Sequence, residues 1–442
     1  MLRHALRFLT VLSVFVFCGS LYATINDTSD SAVGGVLINA EGMLSQVLTE
    51  ELTQLRTEVQ ENLDPIAGEL DKPVKYRRVS LKKINEEVAY CTERGLEIPD
   101  AVKCLGGLTE IRYLLIFPEE QDVVLVGRAE GWEVGPKGVL VGKESGKPVL
   151  QLEDLAAAMH AASGDVRKVF SVSIDPTKEG LQRMSQYAST VNAQQSPKAI
   201  AAGMEKALGA QSVTFQGVDP ASHFAYVLAA ADFRMKQISM GVTKSPVRTL
   251  PSFVSMMKSP SENGALPRWW LAPNYDSISC DAERLTWSFS GGKVVTMTET
   301  DLYDGNAIVR QGGKENSVFK KWADKMTENY EELSVKEPIF GQLKNCMDCA
   351  LAAAVLAENG TMDSMASTFA PMLASPELND AREYIPTQVP SASVVARKGG
   401  AFMFVTGGVA INPWEMVQNS KKADLGKARA KLTIPAKSWF EN

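Results

Sequence analysis

Val169-Phe170-Ser171-Val172-Ser173-Ile174 alternates apolar and polar side chains and then meets Asp175-Pro176-Thr177. Period-two alternation places one face of a strand in a core. Aspartate followed by proline is a helix-start signal, with the acid as N-cap and the ring at the first helical position. A helix through Leu181 and Met184 follows, then a second over Ala199 to Leu208 and a strand over Val213 to Phe215. Asp219-Pro220 repeats the start signal. The helix after it carries Phe224, Val227, Leu228, Ala231, Met235 and Ile238 on one stripe. This β-α-α-β-α order predicts an α+β fold with mixed sheets and helices packed mainly on one side.

Toward the N-terminus, Ile111 to Phe117 and Val123 to Val126 predict a hairpin across Pro118-Glu119-Glu120-Gln121-Asp122. Short glycine-punctuated strands around Trp132 and Val139 to Val141 lead to a helix over Leu152 to Ala161. Ser80 is the expected N-cap of a helix through Ile84 and Val88. Leu44, Leu48, Leu52, Leu55, Val59 and Leu63 recur at helical spacing. That stripe is either a core face or a seam for assembly. Toward the C-terminus, strands are expected at Arg268 to Leu271, Leu285 to Phe289 and Val294 to Met297, the last two joined as a hairpin by Ser290-Gly291-Gly292-Lys293. The segment 318–374 reads as helical, broken at Pro338 and Gly360, and strands return at Val394-Val395 and Phe402 to Val405. From Lys421 the tail is basic and reads as a solvated end. The expected regions are 1–23, 24–163, 164–304, 318–374 and 375–442.

The first 23 residues read as a secretory signal peptide. Arg3 and Arg7 precede the mostly apolar Phe8 to Phe17, and small or uncharged residues lead to a cut site near Ala23, with Ser20 as the second choice and an uncleaved anchor as the rival reading. The apolar run is too short to span a bilayer, and no transmembrane span is expected after cleavage. Phe17 argues against lipid attachment at Cys18. The expected compartment is the periplasm, the cell envelope or the medium. Losing Arg3 and Arg7 takes the net charge of −6 to near −8, which opposes nucleic-acid binding. Five cysteines remain, Cys91, Cys104, Cys280, Cys346 and Cys349. Export permits a Cys91–Cys104 bridge around a loop with Gly95 and Pro99; the alternative is that spacing does not bring them together.

Motif chemistry is sparse. G-x-S-x-G, H-E-x-x-H, the P-loop and a strand-borne G-x-G-x-x-G are absent. Cys346-Met347-Asp348-Cys349 lies within helical sequence and lacks a second ligand pair, so packed core thiols are expected rather than a metal or redox centre. No cofactor is expected. His223, Asp232 and Arg268 are the candidates for acid–base catalysis. The competing readings are a boundary histidine and a surface Asp232–Lys236 ion pair. His160 is expected at a helix end, where a cation complements the dipole. Pro267-Arg268-Trp269-Trp270-Leu271 puts adjacent tryptophans on opposite faces of a strand. Trp269, Trp270 and Tyr275 are therefore the candidates for binding a sugar ring or a peptide, against a strand buried on both faces.

Several strings carry a resemblance. They are Phe117-Pro118-Glu119-Glu120, Ala129-Glu130-Gly131-Trp132, Ser173-Ile174-Asp175-Pro176-Thr177, Ala231-Asp232-Phe233-Arg234-Met235-Lys236, Pro267-Arg268-Trp269-Trp270-Leu271 and Trp322-Ala323-Asp324-Lys325-Met326-Thr327. Together, over residues 33–412, the chain resembles a lineage-restricted family of exported planctomycete proteins of unknown function. The resemblance implies export and an undivided core, and it carries no catalytic or ligand role. The expected function is an exported, non-catalytic binding or structural protein of the periplasm or envelope, with a protein or carbohydrate partner. The alternative is an envelope hydrolase whose acid–base residues come from separate loops.

Overall fold

In the computed structural model, residues 32–46, 49–164, 166–192, 194–257, 265–303, 308–310, 316–379, 382, 384–395, 401–402 and 405–442 are described. The expected signal peptide and most of the expected 304–317 loop lie outside them.

Alternation along Phe170–Pro176 becomes a strand near the middle of a seven-stranded sheet. Across it the order is Ile308–Arg310, Lys293–Tyr303, Ala265–Asn274, Thr406–Ile411, Phe170–Pro176, Gln211–Gln216 and Gln388–Val389. Ala265–Asn274 runs parallel to Thr406–Ile411, and the other pairings are antiparallel. A second seven-stranded sheet contains Lys421–Lys422, Ser277–Cys280, Thr286–Ser290, Tyr113–Phe117, Asp122–Ala129, Val74–Ser80 and Phe440–Glu441 in that order. The fold is mixed α+β, with open sheets and helices. The helix His223–Met240 packs on Phe170–Pro176 and Thr406–Ile411, and the helix Leu81–Arg94 packs on Asp122–Ala129. One buried apolar cluster draws residues from Val36 to Val417.

The 290–293 segment is not the expected hairpin turn. Thr286–Ser290 and Lys293–Tyr303 belong to different sheets. Ala265–Asn274 pairs with Lys293–Tyr303 up to Asn274 opposite Lys293. The same register resumes with Ser277 opposite Ser290. A single antiparallel ribbon therefore turns a corner and serves both sheets. Gly291 sits at φ +62°, and a Cβ there would collide with the Asp276 carboxylate. Its conformation and lack of side chain are what the corner needs.

Helix starts also shift. Pro176 remains in its strand, and Thr177, not Asp175, is the N-cap, accepting from Gly180 N at 3.0 Å. Ser222, not Asp219, caps the next helix, accepting from Ala225 N at 3.1 Å. In each case a hydroxyl two or three residues beyond the aspartate makes the cap. Leu44 lies in the strand Leu44–Gln46, so the expected long stripe reduces to the helix Thr49–Asn62, with Leu55 buried.

The 318–374 region is helical as read, around the helix Ile339–Glu358. That helix is long and apolar enough to cross a membrane, but its apolar window is wholly buried within the fold. Cys346 and Cys349 are buried free thiols on it. Cys91 and Cys104 are likewise buried and free, which corrects the expected bridge. Cys91 packs in the main core, whereas Cys104 joins a separate cluster with Leu70, Trp132 and Val149.

The basic tail presents Lys421, Lys422, Lys427, Lys431 and Lys437 to solvent as expected, but its backbone is built into the fold. Lys421–Lys422 and Phe440–Glu441 form the two outer strands of the second sheet. Arg429 donates to the carbonyls of Leu285 and Ile116, and Asn442 Oδ1 accepts from buried Arg77 at 2.7 Å.

Candidate functional site

The start of the helix Leu152–Ala162 places Glu153 and Asp154 in its first turn, where carboxylates suit the dipole. The start of His223–Met240 comes against it. His223 Nδ1 lies 2.9 Å from Asp154 Oδ1 and 3.7 Å from Glu153 Oε1. The Asp154 side chain is 2 % exposed and that of His223 is 11 % exposed. Arg382 Nη2 donates to Glu153 Oε2 at 2.6 Å, which holds that second carboxylate.

A buried acceptor at Nδ1 fixes the neutral ring with its proton there, and Nε2 keeps the lone pair. Nε2 has no protein hydrogen bond among the described residues, and His223 lines a cleft of about 730 Å³. Glu153, Lys168, Asp219 and Asn379 share that lining. Burial pulls the imidazole pKa down, but the charges of Asp154 and Glu153 and the Asp154 hydrogen bond outweigh it. The net shift is upward from the ordinary 6.5. The arrangement supplies a base at Nε2 and holds the resulting imidazolium between two carboxylates.

The sequence candidates do not converge. Asp232 is nine residues beyond His223, about 13 Å along the helix axis. It is buried, and with Lys236 it forms an interior pair rather than the expected surface one. Lys236 Nζ donates to Asp232 Oδ2 at 3.0 Å, Ile174 O at 2.7 Å and Gly407 O at 3.2 Å. Burial, opposed by Lys236, pushes the Asp232 carboxyl up to about 7. Three protein acceptors take all three ammonium protons, so the pair staples helix to sheet. Arg268 Nη1 donates to its cross-strand partner Glu299 at 2.5 Å, with its guanidinium 5.1 Å from the Trp270 ring centre.

Trp269 is wholly buried, donates to Phe319 O at 3.2 Å and lies against Trp322. It is not a platform. Trp270, on the opposite face, lines an open groove of about 610 Å³ together with Tyr275. The Tyr275 hydroxyl donates to Asp348 Oδ1. His160 Nε2 lies 2.9 Å from Leu373 O at the edge of the His223 cleft. Burial first, then the nearby Asp154 charge, pushes the Cys346 and Cys349 thiols well up, so neither is a thiolate. Among the described residues no group of three or more His, Cys, Asp and Glu side chains is set to hold a metal.

Sequence reading missed Glu153, Asp154 and Arg382. Its only available signal was acid pairing in a helix first turn, which ordinary helices share. Residues 172–253 match the family model described as "Protein of unknown function (DUF1598)". The match contains His223, Asp232 and Lys236, but neither Asp154 nor Trp270. Neither the curated proteins nor the solved structures gave a match to the chain.

Proposed function

We propose that this chain is an exported protein of the bacterial cell envelope that hydrolyses a small polar substrate by acid–base catalysis in the His223 cleft. Export draws on Arg3, Arg7 and the apolar run that follows, and on the resemblance to exported planctomycete proteins. The observation that carries the catalytic reading is the 2.9 Å contact of His223 Nδ1 with buried Asp154 in a histidine that lines the cleft and whose Nε2 makes no protein hydrogen bond among the described residues. In this reading Nε2 takes a proton from a water as that water attacks the substrate. Asp154 and Glu153 hold the imidazolium, which then returns the proton to the leaving group. Arg382 keeps Glu153 in place.

The test uses the chain without residues 1–23 and a chromogenic panel of nitrophenyl acetate, nitrophenyl phosphate and nitrophenyl glycosides. Turnover of one member should fall by about 10²–10⁴-fold in His223→Gln and partially in Asp154→Asn, with unchanged melting curves. No turnover of any member, or turnover that survives His223→Gln, overturns it. Non-catalytic binding in the envelope is the second reading, favoured by the open groove beside Trp270.

A further inference from the structure

We propose that the groove at the corner between the two sheets binds a neutral oligosaccharide, independently of the His223 cleft. Its centre is Trp270. The indole faces away from the core that Trp269 fills, and Arg268 braces it. Directly across the strands from Trp270 are Met297, 42 % exposed, and Gly408, which has no side chain. Ala272 and Ala410 continue the lining. The indole therefore stands between the Met297 side chain and a lower floor of Gly408 and Ala410, where a flat, partly apolar ring fits.

Polar groups surround that floor. Glu415 comes from the helix Pro413–Gln418, with Asn419 and Lys421 just after it. The Asn419 carboxamide and the Lys421 ammonium make no protein hydrogen bond among the described residues. Asn412 donates to Glu415 Oε2 at 3.0 Å and holds that carboxylate. Donors and acceptors of both kinds around an aromatic face match the hydroxyl-rich edge and C–H face of a pyranose.

Other occupants fit less well. The floor is a sheet face, and at Trp270 the strand is paired on both sides, with Arg268–Leu271 held by Thr406–Val409 and by Lys293–Tyr303, so a peptide cannot add as a strand at Trp270. Glu415 and Asp276 in the lining oppose a nucleic acid. The site is also built before any ligand arrives. The Tyr275–Asp348 hydrogen bond and the Gly291 corner fix one wall. Trp414 fixes the helix of the other wall by donating to Lys168 O at 2.9 Å.

The experiment is calorimetric titration of the chain without residues 1–23 with chitotetraose, cellotetraose and, as control, tetra-alanine. At least one saccharide should bind in the millimolar range or tighter. Trp270→Ala should weaken it by about tenfold or more, and Asn419→Ala by a smaller factor. Asn419 is a surface group, so its variant tests the site even where Trp270→Ala fails to fold. His223→Gln should leave binding unchanged, which separates this site from the proposed catalytic one. Absence of saccharide binding, equal binding of tetra-alanine, or affinity indifferent to both Trp270→Ala and Asn419→Ala overturns the proposal.

Discussion

Asp154→Asn is the sharpest perturbation of the His223 cleft. It replaces a charged acceptor 2.9 Å from Nδ1 with a neutral one of the same shape. Hydrogen bonds to charged groups contribute about 1.5–3 kcal/mol and neutral ones about 1. The difference of about 1–2 kcal/mol corresponds to about one pKa unit. Burial still pulls the ring down and Glu153 still pulls it up from 3.7 Å. The variant's imidazole should therefore titrate about one unit below that of the wild type. Ring-proton NMR reads this directly, because the chain without residues 1–23 retains only His160 and His223. The purification tag must be free of histidine, and His160→Asn assigns the spectrum. The sign carries over to stability. A folded-state pKa raised above 6.5 contributes stability that is fully present below 6.5 and is lost as pH climbs through the raised value. Denaturant midpoints of the wild type should fall across that window more than those of the variant. A variant that titrates at the same value as the wild type refutes the pairing on which the catalytic reading stands.

Lys236→Met removes the cation that holds the Asp232 carboxyl down to about 7, so the carboxyl should take up a proton in the variant, and the loss in urea unfolding should be small near pH 7 and grow as pH rises above it, with recovery when Asp232→Leu is added. A single variant unaffected as pH rises would mean that the pair is not buried. Gly291→Val places a β-branched residue at φ +62° against Asp276; a loss of about 1–2 kcal/mol or more is expected, and a neutral result would contradict the corner. Deleting residues 439–442 removes a partner of the Arg77 guanidinium and the outer strand beside Val74–Ser80. A loss of about 2–3 kcal/mol is expected from the charged hydrogen bond alone, and a truncated chain with unchanged melting would contradict the role of Phe440–Glu441 as the sheet's outer strand.

Local periodicity was enough to find most elements. The helices around Leu152 and Ala199 and the alternating Val169–Ile174 strand bury a face whose repeat is visible in the sequence, while the 111–126 hairpin and the helix around Ile339 show as apolar runs buried on nearly every side. Information carried by the third dimension was not visible. Ser290-Gly291-Gly292-Lys293 has the composition of a tight turn, and only the pairing of Asn274 with Lys293 and Ser277 with Ser290 shows that the chain passes between sheets. Asp232 and Lys236 at i,i+4 look the same on a wet face and a dry one. The available clue was the all-round apolar character of their helix, where Phe224 to Met235 are buried on every side. For the cleft, His223 stood out by scarcity, but its partner lies 69 residues earlier in sequence and on another helix.

The buried staple and His223 lie on one helix. Burial of an ion pair contributes little net stability compared with apolar residues of the same volume. Its three acceptors, however, come from the helix itself, from Ile174 and from Gly407, so it fixes how the helix sits on two central strands. That placement sets where the first residue of the helix emerges. His223 must meet Asp154 within a few tenths of an ångström for Nδ1 to be held. The close-packed contacts along Phe224 to Ile238 already resist sliding. The charged pair adds acceptors fixed in direction on two strands. The interior pair therefore fixes this helix on the sheet about 13 Å along its axis from the point where His223 meets Asp154.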